Sequence, residues 1–305
     1  MNRAYVFTEY GGPENQEFAD LPDPTPGPSE LLIAVRAAGV NPVDWKIRAG
    51  YLREFLPLEL PAVLGSEAAG VVVEAGKDVD GFVVGDEVFG NVAPGSGGYA
   101  EQALLTAAQT AKKPTGVSFT DAATLPVAGA TAYDGLVQLN LPAGQTLLIN
   151  GIGGGVGVAA AQMARDRGLT VIGIASEGKR ELVESLGATL VPSGDGVADR
   201  VRQILPDGVD AILDLVGGDA LRAVAGLASR RSMIVASADP ETAAEVGGAD
   251  VARLRSTEVL TRLAALVADG KLDPHVGEVL PLAEAGAALA SVERGHARGK
   301  VVISG

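Results

Sequence analysis

The chain has 305 residues, of which 47% are hydrophobic, and its formal net charge at pH 7 is −14. This acidic balance, with no basic block, argues against nucleic acid or an anionic membrane surface as a partner. The absence of cysteine excludes disulfides, thiolate nucleophiles and thiolate-bound metals. No apolar run approaches the length of a membrane-spanning helix and the first residues, MNRAYVF, have no signal-peptide pattern, so we expect a cytoplasmic protein.

The N-terminal third is rich in short β patterns. Apolar or alternating runs at 4–10, 31–37, 68–74 and 87–89 are separated by Gly and Pro turns. The proline-rich stretch 21–28 cannot be helical and predicts an extended connector. Together these features indicate an all-β, partly open barrel.

From residue 120 the pattern changes to alternating helices and strands. We expect helices at 121–139, 156–167, 179–186, 197–205 and 220–227, and strands at 146–150, 170–175, 189–191, 209–215 and 232–237. Such alternation is typical of a doubly wound parallel sheet, so the predicted fold class is α/β.

The C-terminal residues return to the earlier pattern. Residues 239–250 are small and acidic and predict a loop, which is followed by a helix at 257–269 and strands at 276–280 and 300–304. We therefore expect the two ends of the chain, 1–120 and 256–305, to build one domain. The doubly wound domain, 121–255, is then inserted between them.

The segment TLLINGIGGGVG at 146–157 is the strongest single signal in the chain. An apolar strand runs into a glycine turn and then into a helix, which brings backbone N–H groups close to a diphosphate. A second strand at 170–175 completes a βαβ unit, which favours a dinucleotide site over a glycine-rich turn that binds nothing. The predicted contacts are Gly151, Gly153, Gly154, Gly155, Val156 and Gly157.

The residues after the second strand indicate which dinucleotide binds. An NAD site usually places a carboxylate there to bind the ribose diol, whereas this chain has Ser176 followed by Glu177, Lys179 and Arg180. Lys179 or Arg180 can pair with a 2′-phosphate, which favours NADPH. The alternative is that both cations are only exposed charges on the first turn of the next helix, and the neighbouring Glu177 favours that alternative.

Six motifs, taken in order, resemble one family. They are AGVNPVDWKIRAG at 38–50, PAVLGSEAAG at 61–70, VGDEVFG at 84–90, GGYAE at 97–101, GIGGGVG at 151–157 and GHARGKVV at 295–302. The chain resembles the medium-chain dehydrogenase/reductases, and among them the zinc-independent, quinone oxidoreductase-like branch. The resemblance implies a GroES-like β-barrel catalytic domain and a Rossmann dinucleotide-binding domain.

The resemblance also bears on metal chemistry. Zinc-bearing members carry Cys where Asn41 stands and His where Ser66 stands, so only Glu67 remains of the ligand set. The two histidines, His275 and His296, do not lie at a ligand spacing. We therefore expect no metal. What the resemblance leaves is hydride transfer from NADPH to a quinone or to a C=C bond conjugated with a carbonyl.

The candidate catalytic residues lie in one predicted loop, 41–51. Hydride addition puts negative charge on the acceptor oxygen, which needs hydrogen-bond donors. The resemblance implies that Asn41 lies by the nicotinamide ribose, that Lys46 faces the cofactor and that Tyr51 faces the substrate. The alternatives are that Asn41 is a turn residue, that Lys46 is an exposed charge and that Tyr51 is a packed aromatic.

Two further residues are predicted to contact the cofactor through the resemblance. Thr131 stands where the family places a Thr against the nicotinamide or its phosphate, although a hydroxyl bonded to the preceding helical turn would explain it equally well. Lys300 belongs to the closing motif, which reaches the cofactor in some members; the alternative is a surface charge at the start of a strand. Asp44 is expected to order the loop and Trp45 to lie in the core.

Two other functions are compatible with the same sequence features. The protein could be an enoyl reductase acting on a thioester, or a non-catalytic NADPH-binding redox sensor. The resemblance also implies a homodimer formed by edge strands of two Rossmann domains, here residues 232–237.

Overall fold

The structure is a computed structural model that describes residues 1–295, 297 and 299–305. In chain order its first elements are β1 Asn2–Phe7, β2 Gln16–Leu21, β3 Glu30–Val40, α1 Pro42–Arg48, β4 Ala62–Val63, β5 Glu67–Ala75, β6 Glu87–Val92, β7 Gln102–Lys112, α2 Phe119–Ala122, α3 Ala130–Leu139, β8 Thr146–Asn150, α4 Gly155–Asp166 and β9 Thr170–Ala175. They are followed by α5 Arg180–Ser185, β10 Thr189–Pro192, α6 Val197–Ile204, β11 Ala211–Asp214, α7 Gly218–Ala225, β12 Ile234–Ala236, α8 Pro240–Glu245, β13 Ala249–Asp250, α9 Thr257–Ala268, β14 Val276–Pro281, α10 Ala285–Glu293 and β15 Lys300–Ser304. His296 and Arg298 of the closing motif lie outside the described residues.

The chain divides into two units. One consists of Met1–Val127, Arg255–Ala268 and His275–Gly305, and the other of Ala128–Leu254 and Asp269–Pro274. We call them the barrel unit and the dinucleotide unit. No helix among the residues that the structure describes is long and apolar enough to cross a membrane.

The barrel unit is built on strands in the order β14-β15-β3-β5-β6-β7, and β3 also pairs with β7. All these pairs are antiparallel except β14 with β15, which is parallel. This extra pairing closes the strands β3, β5, β6 and β7 into a ring. Its interior is filled by buried apolar side chains such as Leu31, Ile33 and Leu105. The last strand, β15, pairs with the end of β3, so the C-terminal segment completes this unit.

The dinucleotide unit contains a parallel sheet in the order β10-β9-β8-β11-β12-β13. The chain builds outward from β8 to β10 and then returns to the other side of β8 with β11. This reversal places a crevice at the carboxyl ends of β8 and β11, which is where doubly wound sheets bind ligands. The predicted α/β architecture, a GroES-like barrel and a Rossmann-like sheet, is confirmed.

The predicted helix at 121–139 is wrong as one continuous element. The structure has α2, a π-helical turn at Leu125–Gly129 and α3. Pro126 has no N–H to donate, and the N–H of Val127 donates to the Glu67 carboxylate at 2.7 Å instead of to a helical carbonyl. The backbone hydrogen bonds are therefore redirected over one turn.

The predicted loop at 239–250 is also wrong. Asp239 is the N-cap of α8, where its carboxylate accepts from the backbone N–H of Thr242 at 3.0 Å, and Pro240 begins the helix. The chain then forms β13, which pairs with β12 through Val235 and Ala249. Consequently β12 is not the edge of the sheet, and the expected pairing of 232–237 between two copies does not fit this topology.

The predicted loop at 41–51 contains a helix. Asn41 is the N-cap of α1, and its backbone N–H donates to the Asp44 carboxylate at 2.8 Å in a capping-box arrangement. The long strand β7 and the helix α10 have no counterpart among the predicted elements.

Candidate functional site

The glycine turn of the dinucleotide unit leads directly from β8 into α4. Gly151 adopts φ +90°, a left-handed conformation that favours glycine. Gly154 is the N-cap of α4 and has no side chain to cap the helix. The first intrahelical hydrogen bond is donated by Val158 to Gly154, so the N–H groups of Gly155, Val156 and Gly157 precede it. Such amides suit an anion.

Close packing requires glycine at position 157. A Cβ at this position would lie 2.5 Å from the Cα of Ile152 and 2.6 Å from its carbonyl oxygen. Only glycine therefore lets the first turn of α4 approach the loop this closely. The predicted contacts at Gly151 to Gly157 thus form one continuous turn between strand and helix.

Two polar side chains join the strand ends beside this turn. Asn150, the last residue of β8, donates to the Asp214 carboxylate at 2.6 Å, and Asp214 ends β11. The other Asp214 oxygen accepts from the N–H of Gly217 at 2.8 Å. Burial raises the pKa of Asp214. Sequence reasoning missed this pair, although a polar residue ending an apolar strand was a visible signal for each member.

The two predicted cations after β9 lie in different environments. The Lys179 ammonium donates to the carbonyl of Gly153 at 3.1 Å, so its side chain crosses the glycine turn. Arg180 bonds the carboxylates of Glu177 and Glu184, the latter at 2.9 Å. The hydrogen bond from Arg180 lowers the pKa of Glu177. Ser176 is exposed at the end of β9.

Thr131 lies in the first turn of α3 and is 7% exposed. It belongs to the same unit as the glycine turn.

A buried polar cluster occupies the barrel unit. The Lys300 ammonium donates to Asn41 Oδ1 at 2.6 Å, to Glu67 Oε1 at 2.8 Å and to the Val40 carbonyl at 3.4 Å. The Asn41 carboxamide in turn donates to Glu67 Oε1 at 2.8 Å. All three side chains are at most 4% exposed. Lys300 is therefore not a surface charge, and it contacts a residue predicted to be catalytic.

A second buried cluster surrounds Asp44. Its carboxylate accepts from the Ser66 hydroxyl at 2.6 Å, the Tyr99 hydroxyl at 2.7 Å and the Asn41 N–H at 2.8 Å. Burial raises the pKa of Asp44, and the three donors oppose that rise. Burial and the neighbouring carboxylate hold the pKa of Tyr99 well above its usual range. Asp44 thus orders the start of α1, by side-chain as well as backbone contacts.

The remaining predicted catalytic residues are more accessible. Tyr51 is 68% exposed and its ring contacts the edge of Trp45, with centroids 5.8 Å apart. The Lys46 ammonium lies 6.0 Å from the Trp45 ring centroid. The structure therefore brings Lys46 and Tyr51 together around one indole. It does not bring Asn41 to them, because Asn41 is held in the buried cluster at the other end of α1.

Comparison with known proteins agrees with this architecture. Residues 27–115 match the alcohol dehydrogenase GroES-like domain, and residues 186–303 match a family described as zinc-binding dehydrogenase. A chloroplast envelope quinone oxidoreductase homolog of Arabidopsis thaliana is 32% identical over 99% of this chain and 98% of its own length. This chain belongs to the medium-chain dehydrogenase/reductase superfamily.

Other members of the superfamily are equally similar to this one. A 2-methylene-furan-3-one reductase of Solanum lycopersicum is 32% identical over 99% of this chain and 78% of its own length. The quinone oxidoreductase of Coxiella burnetii has a TM-score of 0.89 and 31% identity, with 100% and 99% of the two chains covered. A mycobacterial protein complexed with NADPH has a TM-score of 0.87 and 30% identity over the whole of both chains. The predicted resemblance to the quinone oxidoreductase-like branch is confirmed.

The metal-ligand positions of this medium-chain dehydrogenase/reductase do not suit zinc. Asn41 and Ser66 replace the expected Cys and His, and the Lys300 ammonium is already bonded to Glu67. Among the residues that the structure describes, no three His, Cys, Asp or Glu side chains are grouped so that they could hold a metal ion. The match to a family described as zinc-binding therefore concerns the fold rather than the ligands.

Proposed function

We propose that this protein is a zinc-free, NADPH-dependent reductase that transfers hydride to quinones or α,β-unsaturated carbonyl compounds. The observation that carries the proposal is the glycine turn of 151–157 at the reversal point of a parallel sheet, with a lysine lying across it. The quinone oxidoreductases and the furanone reductase among its relatives support this class of acceptor.

The cofactor site fits the residues present. The N–H groups of Gly155, Val156 and Gly157 precede the first intrahelical hydrogen bond and can donate to a diphosphate, and the missing Cβ of Gly157 lets the first turn of α4 pack closely on the loop. When bound, NADPH supplies the hydride. Thr131 is proposed to contact the nicotinamide or its phosphate, and Asn41 the nicotinamide ribose. The carboxamide N–H groups of Asn41 face Glu67 and Gly39, so it would contact a ribose hydroxyl as an acceptor.

The preference for NADPH is proposed from charge. Ser176, the residue after β9, is not a carboxylate, and the Lys179 ammonium lies on the glycine turn, where a cation can pair with a 2′-phosphate. Both cations already have protein partners, the Gly153 carbonyl for Lys179 and the carboxylates of Glu177 and Glu184 for Arg180. We assign the phosphate contact to Lys179, because its ammonium already lies on the glycine turn.

The acceptor side is proposed to use Lys46 and Tyr51. Both carry N–H or O–H donors, and they flank the Trp45 indole in the barrel unit. A donor directed at the acceptor oxygen stabilises the negative charge that hydride addition creates there. Homodimer assembly and a cytoplasmic location stay predictions.

The decisive experiment measures NADPH and NADH consumption against a panel of quinones, alkenals and enones. We expect turnover with NADPH for at least one acceptor and weaker turnover with NADH. Lys179→Ala should raise the KM for NADPH about tenfold, because a charge-assisted hydrogen bond is lost, whereas the KM for NADH should stay the same. The matched control, Arg180→Ala, should change the KM for NADPH much less.

Two results would contradict the proposal. If neither coenzyme is consumed with any acceptor although NADPH binds, the protein is a non-catalytic binder. If Arg180→Ala impairs NADPH use more than Lys179→Ala, the phosphate contact is misassigned.

A further inference from the structure

Lys300 has no ammonium proton left for a cofactor. An ammonium carries three N–H donors and no acceptor. Three protein acceptors surround Nζ, which are Asn41 Oδ1, Glu67 Oε1 and the Val40 carbonyl. With Lys300 only 4% exposed, the predicted contact to the cofactor would require breaking one of these bonds in a buried setting.

The same contacts fix which way the Asn41 carboxamide points. Its oxygen faces the Lys300 ammonium and its NH2 group faces Glu67 Oε1. Turning the amide over would place N–H groups against the ammonium and the oxygen against the carboxylate. Both contacts would then be repulsive in a medium of low dielectric constant.

Glu67 links the orientation of the Asn41 carboxamide to a backbone hydrogen bond. Its Oε1 accepts from both Lys300 and Asn41, and its Oε2 accepts from the N–H of Val127 at 2.7 Å. The carboxylate therefore cannot rotate without losing a backbone hydrogen bond. Its negative charge is balanced by the Lys300 ammonium, which stands among positions that hold metal ligands in zinc-bearing relatives.

We infer that Lys300 is a positioning residue, which acts through Asn41 by orienting its carboxamide and by balancing the charge of Glu67, and not through contact with the dinucleotide. The kinetic part of this inference rests on the proposed reductase function. It replaces the sequence-based expectation that Lys300 binds the cofactor.

Lys113 provides a matched control in the same unit. It is also a nearly buried lysine, 6% exposed, and its ammonium bonds the Glu87 carboxylate at 2.8 Å and the Val117 carbonyl at 2.7 Å. Its ammonium bonds neither Asn41 nor Glu67. Lys113→Met therefore removes a second lysine of the barrel unit that is bonded to a carboxylate, one that is 49% exposed, without disturbing the cluster.

The test compares Lys300→Met, Lys300→Arg and Lys113→Met for NADPH affinity and for steady-state kinetics. We expect Lys300→Met to lower kcat about tenfold or more while the Kd for NADPH changes by less than about threefold. The geometry at the nicotinamide is disturbed through Asn41, whereas the proposed contacts to the diphosphate and the 2′-phosphate are kept. Lys300→Arg, which keeps the charge, should recover part of kcat. Lys113→Met should keep kcat within about twofold.

Two outcomes would overturn the inference. One is a large rise in the Kd for NADPH in Lys300→Met with kcat unchanged, which would make Lys300 a cofactor contact. The other is an equal loss of kcat in Lys113→Met, which would make the effect one of general stability.

A double variant covers the case in which Lys300→Met does not fold. Lys300→Met combined with Glu67→Gln removes both charges and so leaves no uncompensated carboxylate. We expect it to fold and to show the lowered kcat with an almost unchanged Kd for NADPH. A wild-type kcat in this double variant would contradict the inference.

A third measurement separates this inference from the proposed function. If the wild-type protein turns over no acceptor, the proposed function fails, and the inference is then tested by hydrogen exchange of the Asn41 carboxamide protons followed by NMR. We expect exchange to be slow in the wild type and at least about tenfold faster in Lys300→Met, because the amide loses its fixed partner. Equal rates would overturn it.

Discussion

Buried carboxylates in the barrel unit are stabilised in two different ways. Glu67 faces an ammonium, whereas Asp44 is held by a serine hydroxyl, a tyrosine hydroxyl and a backbone N–H. Both lie in motifs that the sequence singles out. Their partners could not be predicted, because Tyr99 is 55 residues from Asp44 and Lys300 is 233 residues from Glu67. Only the folded sheet brings such residues together.

The hydrogen bond from Tyr99 to Asp44 predicts a pH-dependent loss of stability in Tyr99→Phe. This bond lowers the pKa of Asp44, so its removal raises the folded pKa further above the unfolded value of about 3.9. A carboxyl with a raised folded pKa contributes stability below the unfolded pKa and loses it as the pH rises through the folded pKa. We expect Tyr99→Phe to lower the free energy of unfolding by about 1.5–3 kcal/mol at pH 7 and by less near pH 4.

Urea unfolding at the two pH values checks this prediction. Tyr5→Phe is the matched control, because the Tyr5 hydroxyl donates to a neutral acceptor, Gln16 Oε1, at 2.8 Å. It should cost about 0.5–1.5 kcal/mol, nearly independent of pH. A Tyr99→Phe penalty that is the same at both pH values would show that Asp44 does not carry the charge.

At the scale of elements, agreement between prediction and structure follows the strength of the local pattern. The strands β8 and β9 begin and end where the sequence predicts, because each is a continuous apolar run bounded by polar or turn residues. The strand β7 was missed because its sequence, QALLTAAQTAK, has little β propensity and owes its conformation to pairing with β3 and β6. The helix α1 had a visible capping box, Asn41 and Asp44, which the proline after Asn41 obscured.

The start of α4 predicts unequal responses to alanine at two neighbouring glycines. A Cβ at Gly157 would meet the backbone of Ile152 at 2.5 Å, whereas a Cβ at Gly154 would meet only the Gly151 carbonyl at 3.7 Å. Gly157→Ala should lower the free energy of unfolding without cofactor by about 1–3 kcal/mol through overpacking. Gly154→Ala should stay within about 0.5 kcal/mol. Denaturant unfolding of both variants checks this, and equal effects would contradict the close packing.

The cap of α8 predicts a second contrast. Asp239→Ala removes the acceptor for the N–H and hydroxyl of Thr242 and should cost about 1 kcal/mol, whereas Asp239→Asn keeps an acceptor and should cost less. The Thr242 hydroxyl and N–H lower the pKa of Asp239, so its contribution is present above the unfolded pKa and is lost as the pH falls through the folded pKa.

Thermal unfolding at neutral and acidic pH tests the cap. The difference between wild type and Asp239→Ala should shrink on going from pH 7 towards pH 3, because the cap loses its charge as the carboxyl is protonated. A difference that grows in acid would be inconsistent with an ionised cap.

At the scale of the whole molecule, the architecture could be predicted because the motifs occur in a fixed order along nearly the entire chain. What the sequence could not show is which strand ends each sheet. The two residues of β13 are too short and too polar to be recognised, yet they cover β12 and change the surface that a second copy would meet. The end of the segment 238–254 is held against α3, because the side chains of Gln138 and Asp134 bond the backbone at Asp250, Ala252 and Leu254.

The pairing of β15 with β3 has a consequence for synthesis. All residues of the dinucleotide unit are synthesised before Lys300, so this unit can complete its sheet before β15 is available to pair with β3 in the barrel unit. Until then the end of β3 is an open edge and Glu67 is a carboxylate without its counter-charge. The nascent protein therefore passes through a stage in which the dinucleotide unit can be folded while β3 in the barrel unit still has an unpaired edge. Chaperone binding or misassembly would occur at this stage.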